Sequence, residues 1–415
     1  MSVRSIVIKA VACFAIVLVL GVCAVFLLMP ESVEEKSELE VFSLDEKSVE
    51  KLIINGDEDF SLYRSEKGWV MEGYESIEVK STYADTLVKS VCNLTSPMLA
   101  SESGENPAQF GFDNPKTEIE ICTANFTQKL LVGNASGDYY YVKRKNGSEI
   151  YLVRHDDLYM VLTDKIKYLD NSVISVEADK VDAISFGDIS LAREGDGWMM
   201  LKPYNHAADP DKVEALIVDP LALVTGSEIV PRVNVTDSES YTLKIYLTDG
   251  SLLAYKICGE YIIPEDGLYA YRAENGALSF LETLSFDIAL KYVAPIAINT
   301  VAAIDFEWQG AKVQLAIDAP RSEAPIFYKD GAEVSETGFR SFYQSLMGLT
   351  FSTEGVAEGD CEYKIVFTKT DTEKYTVEFI SASESEFAVK LNGTTNFLIN
   401  KKAVTDIFSK LKNIQ

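Results

Sequence analysis

A pattern that returns at domain-sized spacing constrains this chain more than any other feature. VEKLIINGDEDFSLYRSEKGW begins at Val49, VDAISFGDISLAREGDGW at Val181, and a fainter form, VAAIDFEWQGAKVQLAID, at Val301. The first two close on Trp69 and Trp198, each directly after a glycine. Repeats this far apart are duplicated domains, because solenoid units recur every 20–45 residues or so. Each opening reads as short strands joined by tight turns. In the first, Leu52, Ile53 and Ile54 form an apolar run, Asn55-Gly56-Asp57 supplies turn chemistry, and Lys67-Gly68 leads into Trp69.

A helix is predicted next in all three units. In the first, Ser81 or Thr82 caps it, and Ala84, Leu87, Val88 and Val91 share one face. In the second, Asp209 caps, Pro210 fills the first turn and Pro220 stops the helix. In the third, Ser335 caps a stripe of Phe339, Phe342, Tyr343 and Leu346. Four strands follow in each unit, and a second helix closes it, near Asp156–Tyr168, Thr283–Tyr292 and Ala403–Lys412. This order predicts an α+β fold: three related units, each a mostly antiparallel sheet with two helices.

Ahead of the repeats, Ala10 to Met29 is an unbroken apolar run. At 1.5 Å rise per residue it matches a bilayer core of about 30 Å. Arg4 and Lys9 precede it, and Glu31, Glu34, Glu35, Glu38 and Glu40 follow, so the positive-inside bias places the N-terminus in the cytoplasm and the remainder outside. A cleaved signal peptide fits less well, since the run is long and ends Leu27-Leu28-Met29-Pro30 without a small-x-small site. The expected layout is a cytoplasmic tip and transmembrane helix over 1–30, an acidic stalk over 31–43, and units over 44–172, 173–295 and 296–415.

Lys and Arg total 38 against 64 Asp and Glu, a net charge of −26. Nucleic acid is excluded as a partner on that balance, because phosphate neutralisation needs clustered cations. Cys92, Cys122, Cys258 and Cys361 are scattered, with no spacing suited to zinc, and read as structural thiols.

The first unit carries a further signature. Gln109-Phe110-Gly111-Phe112-Asp113-Asn114-Pro115 precedes a predicted strand; Leu131-Val132-Gly133 and Tyr139-Tyr140-Tyr141-Val142 come after it. With Gly68-Trp69 upstream, this resembles the domain of unknown function 4340 family. The resemblance implies a bacterial protein with one membrane span and an exported β-rich region. It also implies partners among the permease or auxiliary subunits of ABC transporters of the gliding-motility type. No catalytic residue is carried over. The signature residues Trp69, Gly111, Asp113, Pro115, Gly133 and Trp198 read as structural. Gly111 permits a turn closed to other residues, Asp113-Asn114-Pro115 gives an extended entry to a strand, Gly133 ends one at a bend, and the tryptophans anchor cores.

The residues offer little for catalysis. His155 heads a predicted helix before Asp156-Asp157, and His206 lies in a loop before Asp209-Pro210. No nucleophile elbow, phosphate loop or dinucleotide fingerprint is present, so no cofactor is expected. Acidic pairs such as Asp57 with Asp59, Asp182 with Asp188, Glu194 with Asp196 and Asp209 with Asp211 fall at turns and helix starts, and no metal site is assigned to them. The leading expectation is a non-enzymatic, membrane-anchored extracytoplasmic binding or scaffold protein. The alternatives are an envelope hydrolase using a metal at those turn carboxylates, and a carrier of a lipid or small ligand.

Overall fold

The computed structural model describes residues 38–236 and 240–415. It forms two compact units, one ending at Asp170 and one running from Asn171 to Gln415. The fold is mostly β, with 47% of the described residues in strands and 21% in helix, which corrects the α+β expectation of two helices in each repeat.

In the first unit the order is β1 (Leu39–Ser43), β2 (Val49–Asn55), β3 (Phe60–Ser65), β4 (Gly68–Met71), helix α1 (Ser81–Cys92), β5 (Asn93–Ser96), β6 (Met98–Ser101), β7 (Thr117–Thr123), β8 (Thr127–Ser136), β9 (Tyr139–Arg144) and β10 (Ile150–Arg154). Eight of these strands make one antiparallel sheet in the order β4-β3-β2-β7-β8-β9-β10-β6, and β1 pairs with β5. Burial alternates along β2 and β7, as expected when one face of a sheet is packed and the other wet. The apolar face of α1, built from Ala84, Leu87, Val88 and Val91, is fully buried. Each such leucine or valine contributes about 1.5–3 kcal/mol relative to exposure.

The second unit holds two sheets. Its first strands are β11 (Ser172–Ser175), β12 (Val181–Phe186), β13 (Ile189–Glu194), β14 (Gly197–Lys202) and β15 (His206–Ala208). Helices α2 (Pro210–Val213) and α3 (Asp219–Ala222) precede β16 (Leu223–Pro231), β17 (Ser240–Leu247), β18 (Leu252–Cys258), β19 (Tyr261–Pro264), β20 (Tyr269–Ala273) and the single-turn α4 (Ser285–Ile288). Next come β21 (Val301–Trp308), β22 (Ala311–Asp318), β23 (Ile326–Lys329), β24 (Ala332–Glu333), α5 (Glu336–Met347), β25 (Thr353–Glu354), β26 (Cys361–Lys369), β27 (Lys374–Ser381), β28 (Glu386–Leu391), β29 (Thr394–Asn400) and α6 (Lys401–Leu411). The sheets run β11-β16-β20-β19-β18-β17-β12-β13-β14-β15 and β24-β23-β22-β21-β26-β27-β28-β29-β25.

One topology underlies all three large sheets. A meander of three or four strands leads to a helix, a strand that follows the helix lies at or next to the far edge, and a four-strand meander starts against the first strand of the first meander.

Helices account for the departures from expectation. Where a closing helix is predicted over Asp156–Tyr168, the chain makes two 3-10 turns, Asp156–Leu158 and Lys165–Tyr168. Thr163-Asp164 between them is poor helix sequence, since such side chains compete for backbone hydrogen bonds. The helix predicted over Thr283–Tyr292 shrinks to α4 because the following backbone is zipped into strands. Leu290 N–H donates to Ala207 O at 2.9 Å, and Phe351 N–H donates to Lys291 O at 2.9 Å. Pro220 does not end its helix. A π turn over Glu214–Val218 widens the spiral, and Pro220, which has no N–H to give, falls in the first turn of α3. At α1 the capping position belongs to Lys80, which offers no side-chain cap.

Among the described residues no helix is long and apolar enough to cross a membrane. The span expected from Ala10 to Met29 lies outside the described residues, as does the stalk to residue 37. The end of that stalk, Leu39–Ser43, is β1 and not a tether.

Candidate functional site

Three constellations gather the chemically distinctive side chains. The first recurs. Trp69 is buried and its indole N–H donates to Asp85 Oδ1 on α1 at 3.0 Å. Arg64 lies 4.4 Å from the ring centre and donates through Nε to Val49 O at 2.9 Å. Trp198 repeats the arrangement: its N–H donates to Glu214 Oε1 at 2.9 Å, Arg193 stands 4.5 Å from its ring, and Arg193 Nε donates to Val181 O at 2.7 Å. Arg193 also pairs with Glu214 at 3.0 Å. Arginine, tryptophan and acid therefore clip the sheet to its helix, with cation–π and charge-assisted hydrogen bonds in one stack. The third sheet substitutes Phe327, with Arg340 from α5 5.3 Å from its ring. The arginines and acids went unnoticed in the sequence, although Arg64 and Arg193 each stand five residues before their tryptophan.

The second is the signature loop. Pro107–Phe110 is a 3-10 turn closed by Gly111 at φ +86°. Gly133 does not end a strand; it sits inside β8, at a shift in the pairing with β9 between Val132 and Ala135. Its missing side chain admits the loop, since a Cβ there would lie 2.1 Å from Phe110 O. Phe110 then meets Tyr141 edge-on at 4.9 Å, and Lys143 lies 5.7 Å from the Phe112 ring. Gly111 and Gly133 are thus brought together through Phe110. Asp113 is exposed and Pro115 half-buried ahead of β7. His155 caps no helix with its side chain; its ring stacks on Tyr140 at 4.3 Å.

The third is a cleft of about 540 Å³ within the second unit, between its two sheets. The segment Ile288–Val293 forms the seam behind it. On one side Asp209 N–H donates to Ile288 O at 2.8 Å; on the other Val293 N–H donates to Leu349 O at 3.0 Å. His206 Nε2 is 2.8 Å from Leu290 O, and because a carbonyl only accepts, the proton sits on Nε2. Burial, with the Lys291 cation adding to it, holds this imidazole below its usual range. Its ring packs against Phe351 and Phe397. Tyr375, which donates to Val293 O at 3.0 Å, is pushed up to about 12 by burial. Alongside the seam, Tyr204 and Ser285 both donate to Glu354 Oε1, at 2.6 and 2.8 Å. Burial lowers Lys291 to about 8.

One member of two of the acidic pairs serves a local turn or cap. Asp59 Oδ1 accepts from Gly56 N–H at 3.0 Å, and Asp209 Oδ1 accepts from Lys212 N–H at 3.4 Å as a helix cap. Among the described residues no group of three or more His, Cys, Asp or Glu is placed to hold a metal ion. Cys92 and Cys258 are buried and Cys361 is exposed, and none of the three is in a disulfide.

Residues 69–245 match the family model of a domain of unknown function, DUF4340. The chain carries a DUF4340 domain. Both arginine–tryptophan–acid stacks fall within that domain apart from Arg64, as does the whole signature loop with Gly111 and Gly133. The DUF4340 match ends in β17, ahead of the third sheet. No curated protein and no solved structure matches the chain.

Proposed function

We propose that the chain is a membrane-anchored extracytoplasmic binding or scaffold protein, an accessory of an ABC-type transport or cell-envelope complex. The observation that carries the binding role is the cleft of the second unit, a concave site of about 540 Å³ held by a two-sided backbone seam. That volume lies in the range of ligand sites. Asp59 and Asp209 serve a turn and a cap, and Asp85, Glu214, Arg64 and Arg193 the tryptophan stacks, which suits a protein whose polar groups hold shape. The apolar run Ala10–Met29, with Arg4 and Lys9 before it and glutamates after it, supports the anchor and its orientation. The transport partner rests on the family resemblance.

Affinity isolation of the full-length chain in mild detergent tests this reading. Permease and ATPase subunits of one transporter should copurify in fixed proportion. Recovery of the chain by itself would count against the scaffold role.

A further inference from the structure

The lining of the cleft mixes apolar and polar groups almost without charge. Among the described residues that line it, Lys369 is the one charged side chain, and its ammonium is already bound to Glu373 at 2.6 Å. The side-chain amides of Asn205 and Asn396 and the hydroxyl of Tyr292 make no hydrogen bond to another described residue. Tyr292 is 47% exposed, so an aromatic side chain is available at the cleft. Three unlike stretches supply these groups: the approach to β15, the seam, and β29.

Charge and shape narrow the occupant. An anion would meet no free cation here and would approach a chain of net charge −26. A purely apolar molecule would strip water from two amides without replacing its hydrogen bonds. A carboxamide offers donor and acceptor side by side, which matches a hydroxyl that also does both. An exposed tyrosine beside such amides suits a ring with an apolar face and a polar rim.

We propose that this cleft binds a neutral oligosaccharide, with Tyr292 as the stacking platform and Asn205 and Asn396 bonding its hydroxyls. The proposal rests on the binding role above and names the ligand class for that site.

Titration calorimetry of the full-length chain in detergent, with maltotriose, cellotriose and chitotriose as separate probes, tests it. At least one should bind saturably. Tyr292→Ala and Asn396→Ala should each weaken that binding about tenfold or more, the equivalent of about 1.4 kcal/mol, while the melting temperature stays at the wild-type value. Absence of saturable binding to all three probes would overturn the proposal, as would wild-type affinity in both variants. Should the sugars fail while transporter subunits still copurify, the ligand class falls and the scaffold reading stands. Should a sugar bind while the chain is isolated alone, the reverse holds.

Discussion

Gly133 and Phe110 meet where no other residue could: the Phe110 carbonyl oxygen occupies the space that a Cβ on Gly133 would fill, 2.1 Å away. This contact seats the signature loop on the first sheet and lets Phe110 reach Tyr141. Gly133→Ala must push the loop off, because backbone on both sides leaves little to give. Overpacking of this kind costs about 1–3 kcal/mol. Denaturant unfolding followed through the first unit should show that loss. Gly137 has its own positive φ of +60°, but nothing stands near its missing side chain. Gly137→Ala should therefore cost only the backbone strain, about 1–2 kcal/mol, and leave hydrogen exchange in residues 107–112 unchanged, whereas Gly133→Ala should accelerate it.

The second tryptophan stack predicts a graded series. Glu214→Ala leaves both the Trp198 N–H and the Arg193 guanidinium without their acid, a loss of about 1–3 kcal/mol. Glu214→Gln keeps an acceptor for the indole while dropping the charge, so it should lose less. Unfolding midpoints in urea would rank the two, and equal losses would show that the indole hydrogen bond contributes nothing.

Acid should find His206. Its folded-state pKa is depressed by burial, so the unfolded chain takes up the proton first as pH falls. The stability it contributes is complete above the unfolded value of about 6.5 and is lost as pH drops below it toward the folded value. His206→Gln removes this dependence. The stability difference between wild type and variant should be flat above pH 7 and shift against wild type below about pH 6.5; parallel curves would show that the ring is not held neutral.

The seam predicts cooperativity. Leu290→Pro deletes the N–H that donates to Ala207 O and so opens the join between the two sheets of the second unit. Calorimetry should then resolve two transitions where the wild-type unit, with one continuous apolar core from Val173 to Ile414, gives one.

Periodicity made most strands and their succession along the chain readable, because alternation and turn residues are local. Ser335 and Asp209 likewise cap the helices that their spacing implies. Helices that depend on tertiary context were harder to read. Ala289–Val293 has helical spacing, yet its backbone groups find partners on two flanking segments, and those pairings win. Pro220 looked like a stop because a π turn that absorbs a missing donor leaves no mark in composition. Of the repeated stack only the tryptophans were legible; the arginines stand at a constant offset before them, but only the structure shows that they lie over the rings. The cleft had no sequence signal at all. Asn205, Tyr292 and Asn396 are distant in the chain, and only the folding of two sheets around one seam gathers them.

The role of the chain as a partner-bearing protein in the envelope is tested most directly by the native mass of the full-length chain extracted in mild detergent, measured by light scattering with the detergent subtracted. The account predicts a particle several times heavier than one chain, containing transporter subunits in constant ratio. A particle of single-chain mass, unchanged across detergents and concentrations, would contradict it.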